Sequence, residues 1–290
     1  GHYRLDLAEP ADYAVAESCL LVSAWEAEVS RLAGRADVSQ RGTHEMLRNE
    51  HLDDVAVQLT RHWRLPAYGW LRFDYSSAWR PPEAAQAMPE VSEVSRHLRL
   101  QEEMRPEAKL RALRALSVHV LCNTKQVRAM AMCFPAGKHK QDFFCLIHTR
   151  VVDRQHLLGP RLLHSSAFGP EDREELLRRV GHLHLLNPLT PEGLVFTSRC
   201  LVHDERRVLE FLLGLSAKER GGKVVHEKPG KALPNMASWA KTGVPCQDMT
   251  LQVSYASEAA SLYWRQTLAE RYSVWRTPPS ELAAKPRGEK

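Results

Sequence analysis

Apolar and polar residues alternate strictly in two separated stretches, Leu71-Arg72-Phe73-Asp74-Tyr75 and Leu251-Gln252-Val253-Ser254-Tyr255. Period-two alternation predicts half-buried β-strands, because successive side chains leave opposite faces of a pleated backbone. Gly1-His2-Tyr3-Arg4-Leu5 and Gly193-Leu194-Val195-Phe196-Thr197 are rich in β-formers and predict two further short strands. Beyond each of these the apolar spacing becomes helical. Val15, Cys19 and Val22 share one face, as do Val208, Phe211, Leu212 and Leu215.

The two stretches correspond. With Gly1 placed over Gly193, Asp12 falls on Asp204 and Leu20-Leu21 on Leu212-Leu213. Further on, Trp63, Pro66 and Tyr75-Ser76-Ser77 match Trp239, Pro245 and Tyr255-Ala256-Ser257. The pattern predicts one unit used twice, composed of strand, helix, variable loop with a Trp, and strand. Asp12 and Asp204 are expected to accept hydrogen bonds from free N–H groups at the helix starts. The loops differ: residues 34–59 are polar, whereas the second copy carries Gly221-Gly222-Lys223 and Lys228-Pro229-Gly230-Lys231. Glycine and proline there predict turns and exposed, flexible chain.

Between the copies the pattern is helical from Val91 to about Leu186. Leu110, Leu113, Leu116 and Val120 recur at three- and four-residue steps, and Phe143, Phe144 and Ile147 line the apolar face of another helix. Pro135 and Gly137 are expected to end a helix, and a helix after Asp153 is expected to break at Gly159-Pro160. Glu171–Val180 starts with acids and ends with arginines, which suits the helix dipole. Leu262, Tyr263, Leu268, Tyr272 and Trp275 give a C-terminal amphipathic helix. The expected fold class is α+β, with two small strand–helix–strand repeats flanking a central all-helical segment, plus a C-terminal helix. The boundaries expected are 1–80, a linker at 81–95, 96–188, 189–257, the helix at 258–277 and a disordered tail at 278–290.

Composition narrows the function without choosing it. The 290 residues carry 40 Lys plus Arg against 35 Asp plus Glu, a net charge of +5. Such a balance permits contact with nucleic acid and does not require it. No apolar run approaches the ~20 residues needed to span a bilayer, so membrane insertion is not expected. The six cysteines are scattered, with no C-x-x-C pair, which fits free thiols inside a cell better than a disulfide framework. The chain opens on Gly1 and reads as a fragment or subunit of something larger.

The middle segment carries Gln126-Val127, Cys133-Phe134, Phe143-Phe144, Arg150-Val151-Val152-Asp153, Phe168, Leu176-Leu177 and Gly181. On these residues it resembles the helical domain of unknown function four-four-seven-six, over roughly a third of the chain. The resemblance implies a small all-helical unit with no assigned reaction. The flanking copies look like a β-containing module found in repeated arrays beside such helical units.

Candidate chemistry is sparse. Gly137-Lys138 lacks the rest of a P-loop, and Gly221-Gly222-Lys223 reads as a loop before an anion cradle. Ser238-Trp239-Ala240-Lys241 fits S-x-x-K without its partner motifs. His182-Leu183-His184 would put two imidazoles on one side of a strand, but further ligands are not recognisable, and His148, His156 and His164 read as surface or satisfied core residues. No catalytic, cofactor-binding or metal-binding residue is assigned, and no cofactor is expected. The interaction candidates are Trp70 with Arg72, Lys138, Lys140, Lys223, Lys228 and Lys231, together with a basic helix holding Lys109, Arg111 and Arg114. The reading is a non-enzymatic protein-interaction or scaffold module whose partners are other proteins. The alternative is an RNA- or other nucleic-acid-binding subunit, and a third is an enzyme with a site between the repeats.

Overall fold

The computed structural model describes residues 1–32, 46–57, 59, 63–77, 80–82, 84–200, 202–226, 236–245, 247–258, 268–271 and 273–274. The chain divides into two compact units, one of Gly1–Val29 with Gln40–Gly181 and one of Ser30–Ser39 with His182–Lys290. The architecture is mixed α+β, with two small antiparallel sheets.

The first unit begins with β1 (His2–Asp6), α1 (Pro10–Leu32), β2 (Leu47–Leu52), β3 (Val55–Ala56) and β4 (Trp70–Tyr75). Its sheet order is β1-β4-β2-β3, every neighbour antiparallel. The inward set of the period-two pattern is Tyr3, Leu5, Leu71 and Phe73. It packs with Leu47 and with Ala16, Tyr13, Cys19 and Leu20 of α1. The Tyr3 and Phe73 rings stack at 5.1 Å. Asp53 and Asp54 both have positive φ, so the β2–β3 hairpin closes with a type I′-like turn that matches the strand twist.

The helices that follow belong to the same unit: α2 (Val91–Leu100), α3 (Pro106–Ser117), α4 (Thr124–Ala131), α5 (Lys138–Ile147) and α6 (Pro170–Val180). Their core stacks Phe134 on Phe143 and sets Phe144 edge-on to Phe168. Residues that carry the family resemblance hold helix ends here. Gln126 completes a capping box with Asn123 at the start of α4. Asp153 accepts from the N–H and the hydroxyl of Thr124 at 2.8 and 2.7 Å.

The second unit contains α7 (His182–Leu185), β5 (Val195–Arg199), α8 (His203–Lys218), β6 (Lys223–His226), α9 (Met236–Thr242) and β7 (Thr250–Ala256). The sheet order is β5-β7-β6, again antiparallel throughout. Phe196, Leu251, Val253 and Tyr255 face α8, which fills the core with Val208, Leu209, Phe211, Leu212 and Leu215.

The two sheets place their first, last and middle strands in the same order, but the register differs from the sequence expectation by one residue. Phe73 of β4 pairs Tyr3, and its counterpart Val253 of β7 pairs Phe196. Tyr3 therefore corresponds to Phe196 and not to Val195, which lies under it when Gly1 is set on Gly193. A one-residue slip in a strand exchanges its faces, so the core-facing set decides the register. Asp12 then corresponds to Glu205, not Asp204. The two carboxylates make the same bond: Asp12 accepts from the N–H of Asp6 at 2.9 Å, and Glu205 from the N–H of Arg199 at 2.7 Å. Each binds the last residue of the preceding strand. The Asp204 side chain lies outside the described residues.

Other expectations change as well. The loop expected at 34–59 contains two strands, β2 and β3, and the one around 221–231 contains β6. Gly221-Gly222 forms a tight turn between α8 and β6. A Cβ on Gly222 would lie 2.8 Å from the Tyr255 hydroxyl oxygen, so this glycine lets helix and strand approach. Gly137 (φ 84°) precedes α5 and does not close α4, and its N–H donates to Asp172. The stretch after Asp153 holds only a short 3-10 turn, Arg154–His156. The buried positions of α3 are Lys109, Leu113 and Ser117, while Leu116 is exposed. His182-Leu183-His184 lies on a helical turn and not a strand. Helical backbone occurs at 268–271 and 273–274. The rest of the expected C-terminal helix, apart from Glu258, and the 278–290 tail lie outside the described residues. No helix among the described residues is long and apolar enough to cross a membrane.

Gly222→Ala is expected to lower stability by on the order of 1–3 kcal/mol, since the methyl forces Tyr255 out of its contact. Chemical denaturation measures the loss, and an unchanged midpoint would contradict the close approach.

Candidate functional site

Even-numbered residues of β1 and β4 leave the face of the sheet opposite α1. Across this outer face the register sets Arg4 opposite Arg72, Arg72 opposite His51, and Asp6 opposite Trp70. Three basic residues thus form one cross-strand row. Like charges directly opposite each other destabilise a sheet. The Arg4 guanidinium carbon lies 5.0 Å from the centre of the Trp70 ring, a cation–π contact. Trp70 nevertheless remains 49% exposed. Arg72 lies 3.7 Å from the carboxylate of Asp54, which is itself almost fully exposed. An ion pair in that setting contributes at most about 1 kcal/mol.

Local structure fixes the backbone at the start of β4. The backbone N–H of Trp70 donates to Asp53 Oδ1 at 2.8 Å, and the Trp70 carbonyl accepts from the Asp53 N–H at 3.0 Å. The hairpin turn therefore holds the first residue of β4. Gly69 before it has φ 121°, and a Cβ there would come within 3.1 Å of Asp53 and Leu52.

The other end of the same face is covered. Asp74 is buried between His2 (Nδ1 at 2.9 Å), Asn49 (Nδ2 at 2.8 Å) and Arg179 (Nε at 3.4 Å), and Arg179 also reaches Asp142 at 2.9 Å. Burial alone would raise the Asp74 pKa. The hydrogen bonds from His2 and Asn49 and the Arg179 charge outweigh it and hold the carboxyl below its ordinary value. This cluster anchors α6 to the sheet. The buried His148 is similarly structural: its Nε2 meets the Ser76 hydroxyl at 3.1 Å and its Nδ1 the Cys145 carbonyl at 3.0 Å. Burial, with the Arg80 charge, keeps its pKa well below the ordinary imidazole value.

The structure brings Trp70 and Arg72 together on one strand and disperses the other candidates. Lys138 is exposed near the start of α5, and Lys223 is exposed at the start of β6 in the second unit. Lys140 is a correction: it is buried, and its ammonium donates to the Ala167 carbonyl at 2.8 Å. Lys109 is buried too, so the basic helix face at 109–114 loses one of its three charges. Lys228 and Lys231 lie outside the described residues, as do Trp79, Trp264 and Trp275. Sequence reasoning missed Arg4, although its alternation with Tyr3 and Leu5 places it on the polar face. No group of three or more His, Cys, Asp or Glu side chains suited to a metal ion occurs among the described residues. The five described cysteines are free thiols.

Arg72→Thr is expected to leave stability unchanged or raise it by roughly 0.2–1 kcal/mol, because it removes repulsion from Arg4. The gain should shrink in high salt, and a loss above about 1 kcal/mol in thermal melts would count against an uncompensated row. Asp74→Asn should lower neutral-pH stability and flatten the acid limb. A carboxyl held below its ordinary pKa of about 4 stabilises the fold above that value and loses the contribution as pH falls through its folded pKa. Denaturation between pH 7 and pH 2 tests the sign, and equal slopes for both proteins would refute it. Neither a family model, nor a curated protein, nor a solved structure matches this chain.

Proposed function

We propose that this chain is a non-enzymatic protein-interaction or scaffold module, part of a larger intracellular protein or assembly. In this reading a duplicated sheet-and-helix unit flanks a helical segment akin to the domain of unknown function four-four-seven-six. The observation that carries the proposal is the Arg4–Arg72–His51 row beside the exposed Trp70. Such a row costs stability in the free protein and is neutralised by an acidic partner, while an exposed indole beside arginine has the composition of an interface anchor.

The edge of the sheet supports an extended partner segment. Gly1 exchanges backbone hydrogen bonds with Tyr75, and the Leu7 N–H donates to the Gly69 carbonyl, which sets the phase of the β1–β4 ladder. The N–H and C=O groups of His2 and Arg4 accordingly point away from β4, toward the open edge. An acidic strand added there would bring its carboxylates to Arg4 and Arg72.

The same row suits a nucleic-acid strand, with arginines on phosphates and Trp70 stacked on a base. Burial of Lys109 and Lys140 removes two of the cations that favoured this second reading.

Affinity purification of the full-length protein from its native source, read by mass spectrometry with and without nuclease, tests both. The expected result is a stoichiometric, nuclease-resistant protein set that falls by about tenfold or more with the Trp70→Ala/Arg72→Thr double variant. Capture abolished by nuclease would favour the nucleic-acid reading. Full retention of partners by the variant would remove this face from the interaction.

A further inference from the structure

α1 presents apolar side chains on two opposite sides. One side, with Tyr13, Ala16 and Leu20, is buried on the first sheet. The opposite side carries Val15, Ser18, Leu21, Val22 and Trp25, all exposed, with Leu21 at 65% and Trp25 at 67%. At 100° per residue these five positions fall within one stripe along the helix. Exposed apolar stripes of this kind mark binding surfaces.

In the second unit part of the corresponding stripe is covered, although Leu21 and Trp25 fall there on Gly214 and Lys218. In the register that sets Tyr3 on Phe196 and Asp12 on Glu205, Val15, Ser18 and Val22 correspond to Val208, Phe211 and Leu215 of α8. Those three are 2%, 3% and 0% exposed. Besides its sheet, α8 packs against two short helices, α7 and α9, and Leu183 of α7 joins the same apolar cluster. In the first unit Leu59, Trp63 and Leu65 pack on the core. A leucine-bearing helix in the place of α7 is what the outer face of α1 lacks among the described residues.

Charge defines the occupant further. Residues 10–30 contain Asp12, Glu17, Glu26 and Glu28 and no Lys or Arg. Glu17 and Glu28 lie four residues before and seven after Leu21, along the border of the stripe, and both are exposed. Two copies of α1 packed on each other would set acids against acids. We propose that the Val15–Trp25 face of α1 is a second docking surface, distinct from the Trp70 sheet face, that takes a leucine-bearing amphipathic helix with Lys or Arg flanks from a partner protein.

The test uses the full chain and two labelled 18-residue probes with leucines at helical spacing, one with lysines and one with glutamates at the polar positions. Binding is read by fluorescence anisotropy at low and physiological salt. The lysine probe is expected to bind the wild type at least about tenfold more tightly than the glutamate probe. It should lose about tenfold or more with Leu21→Asp, an exposed substitution whose folding is checked by an unchanged melt. Arg72→Thr should leave its binding unchanged, which separates this surface from the one under Proposed function. Equal binding of the two probes, no binding of the lysine probe, or full binding by Leu21→Asp would overturn the proposal. So would sedimentation showing a wild-type dimer that Leu21→Asp dissociates, since the occupant would then be a second copy of this chain.

Discussion

In each unit a tyrosine at the end of a central strand donates to a glutamate that lies in the helix crossing the sheet, Glu26, or directly after it, Glu219. Tyr75 reaches Glu26 at 3.1 Å, and Tyr255 reaches Glu219 at 2.7 Å. Burial raises the pKa of both phenols and the adjacent carboxylate raises it further, so each remains a donor across the physiological range. A serine two residues beyond each tyrosine, Ser77 or Ser257, bonds the same glutamate. At the other end of the helix or near it, Asp12 or Glu205 holds the last strand residue. Two polar ties and an apolar face leave the helix one position on its sheet. That position fixes which side chains face the core and which are left for partners.

The two units satisfy this glutamate differently. Glu219 and Glu192 converge on the fully buried Arg271, whose Nε lies 2.6 Å from Glu219 and whose Nη1 donates to the Leu189 carbonyl at 2.8 Å. Burial opposes the charge of Glu219, but the bonds from Arg271 and Tyr255 prevail and keep its pKa below the ordinary value. Buried ion pairs contribute little net stability, yet removing one partner leaves an uncompensated charge that costs several kcal/mol. Arg271 therefore binds the 268–271 helical turn to the second unit. It does for that unit what Arg179 does for Asp74 in the first.

The outer face of the first sheet divides by the same logic. At the Asp74 end every charge has a close partner, and α6 covers it. At the Trp70 end Arg4 and Arg72 stand directly opposite each other, with Asp6 on the same face and the exposed Asp54 3.7 Å from Arg72. The first arrangement stabilises the fold, whereas the second lowers stability in the free protein and is relieved by an anionic partner.

The hydrophobic pattern by itself determined the central strands Leu71–Tyr75 and Leu251–Tyr255, the helices behind β1 and β5, and the placement of Trp70 on the face opposite Phe73; that Trp70 stays exposed there was decided by the tertiary structure. Each of these rests on local periodicity. The pattern did not reveal β2, because Leu-Arg-Asn-Glu-His-Leu lacks β-branched residues. Pairing with β4, broken by a register shift between Arg48 and His51 where Asn49 turns to φ 54°, makes that segment a strand. It also left Lys140 and Trp70 looking alike as surface residues. Only tertiary packing separates them: the Ala167 carbonyl draws one ammonium inside, while the indole of Trp70, whose backbone the hairpin turn holds, stays half exposed. Register was decided the same way. A strand's sequence states which residues alternate, and the partner across the ladder states which alternate set goes inward.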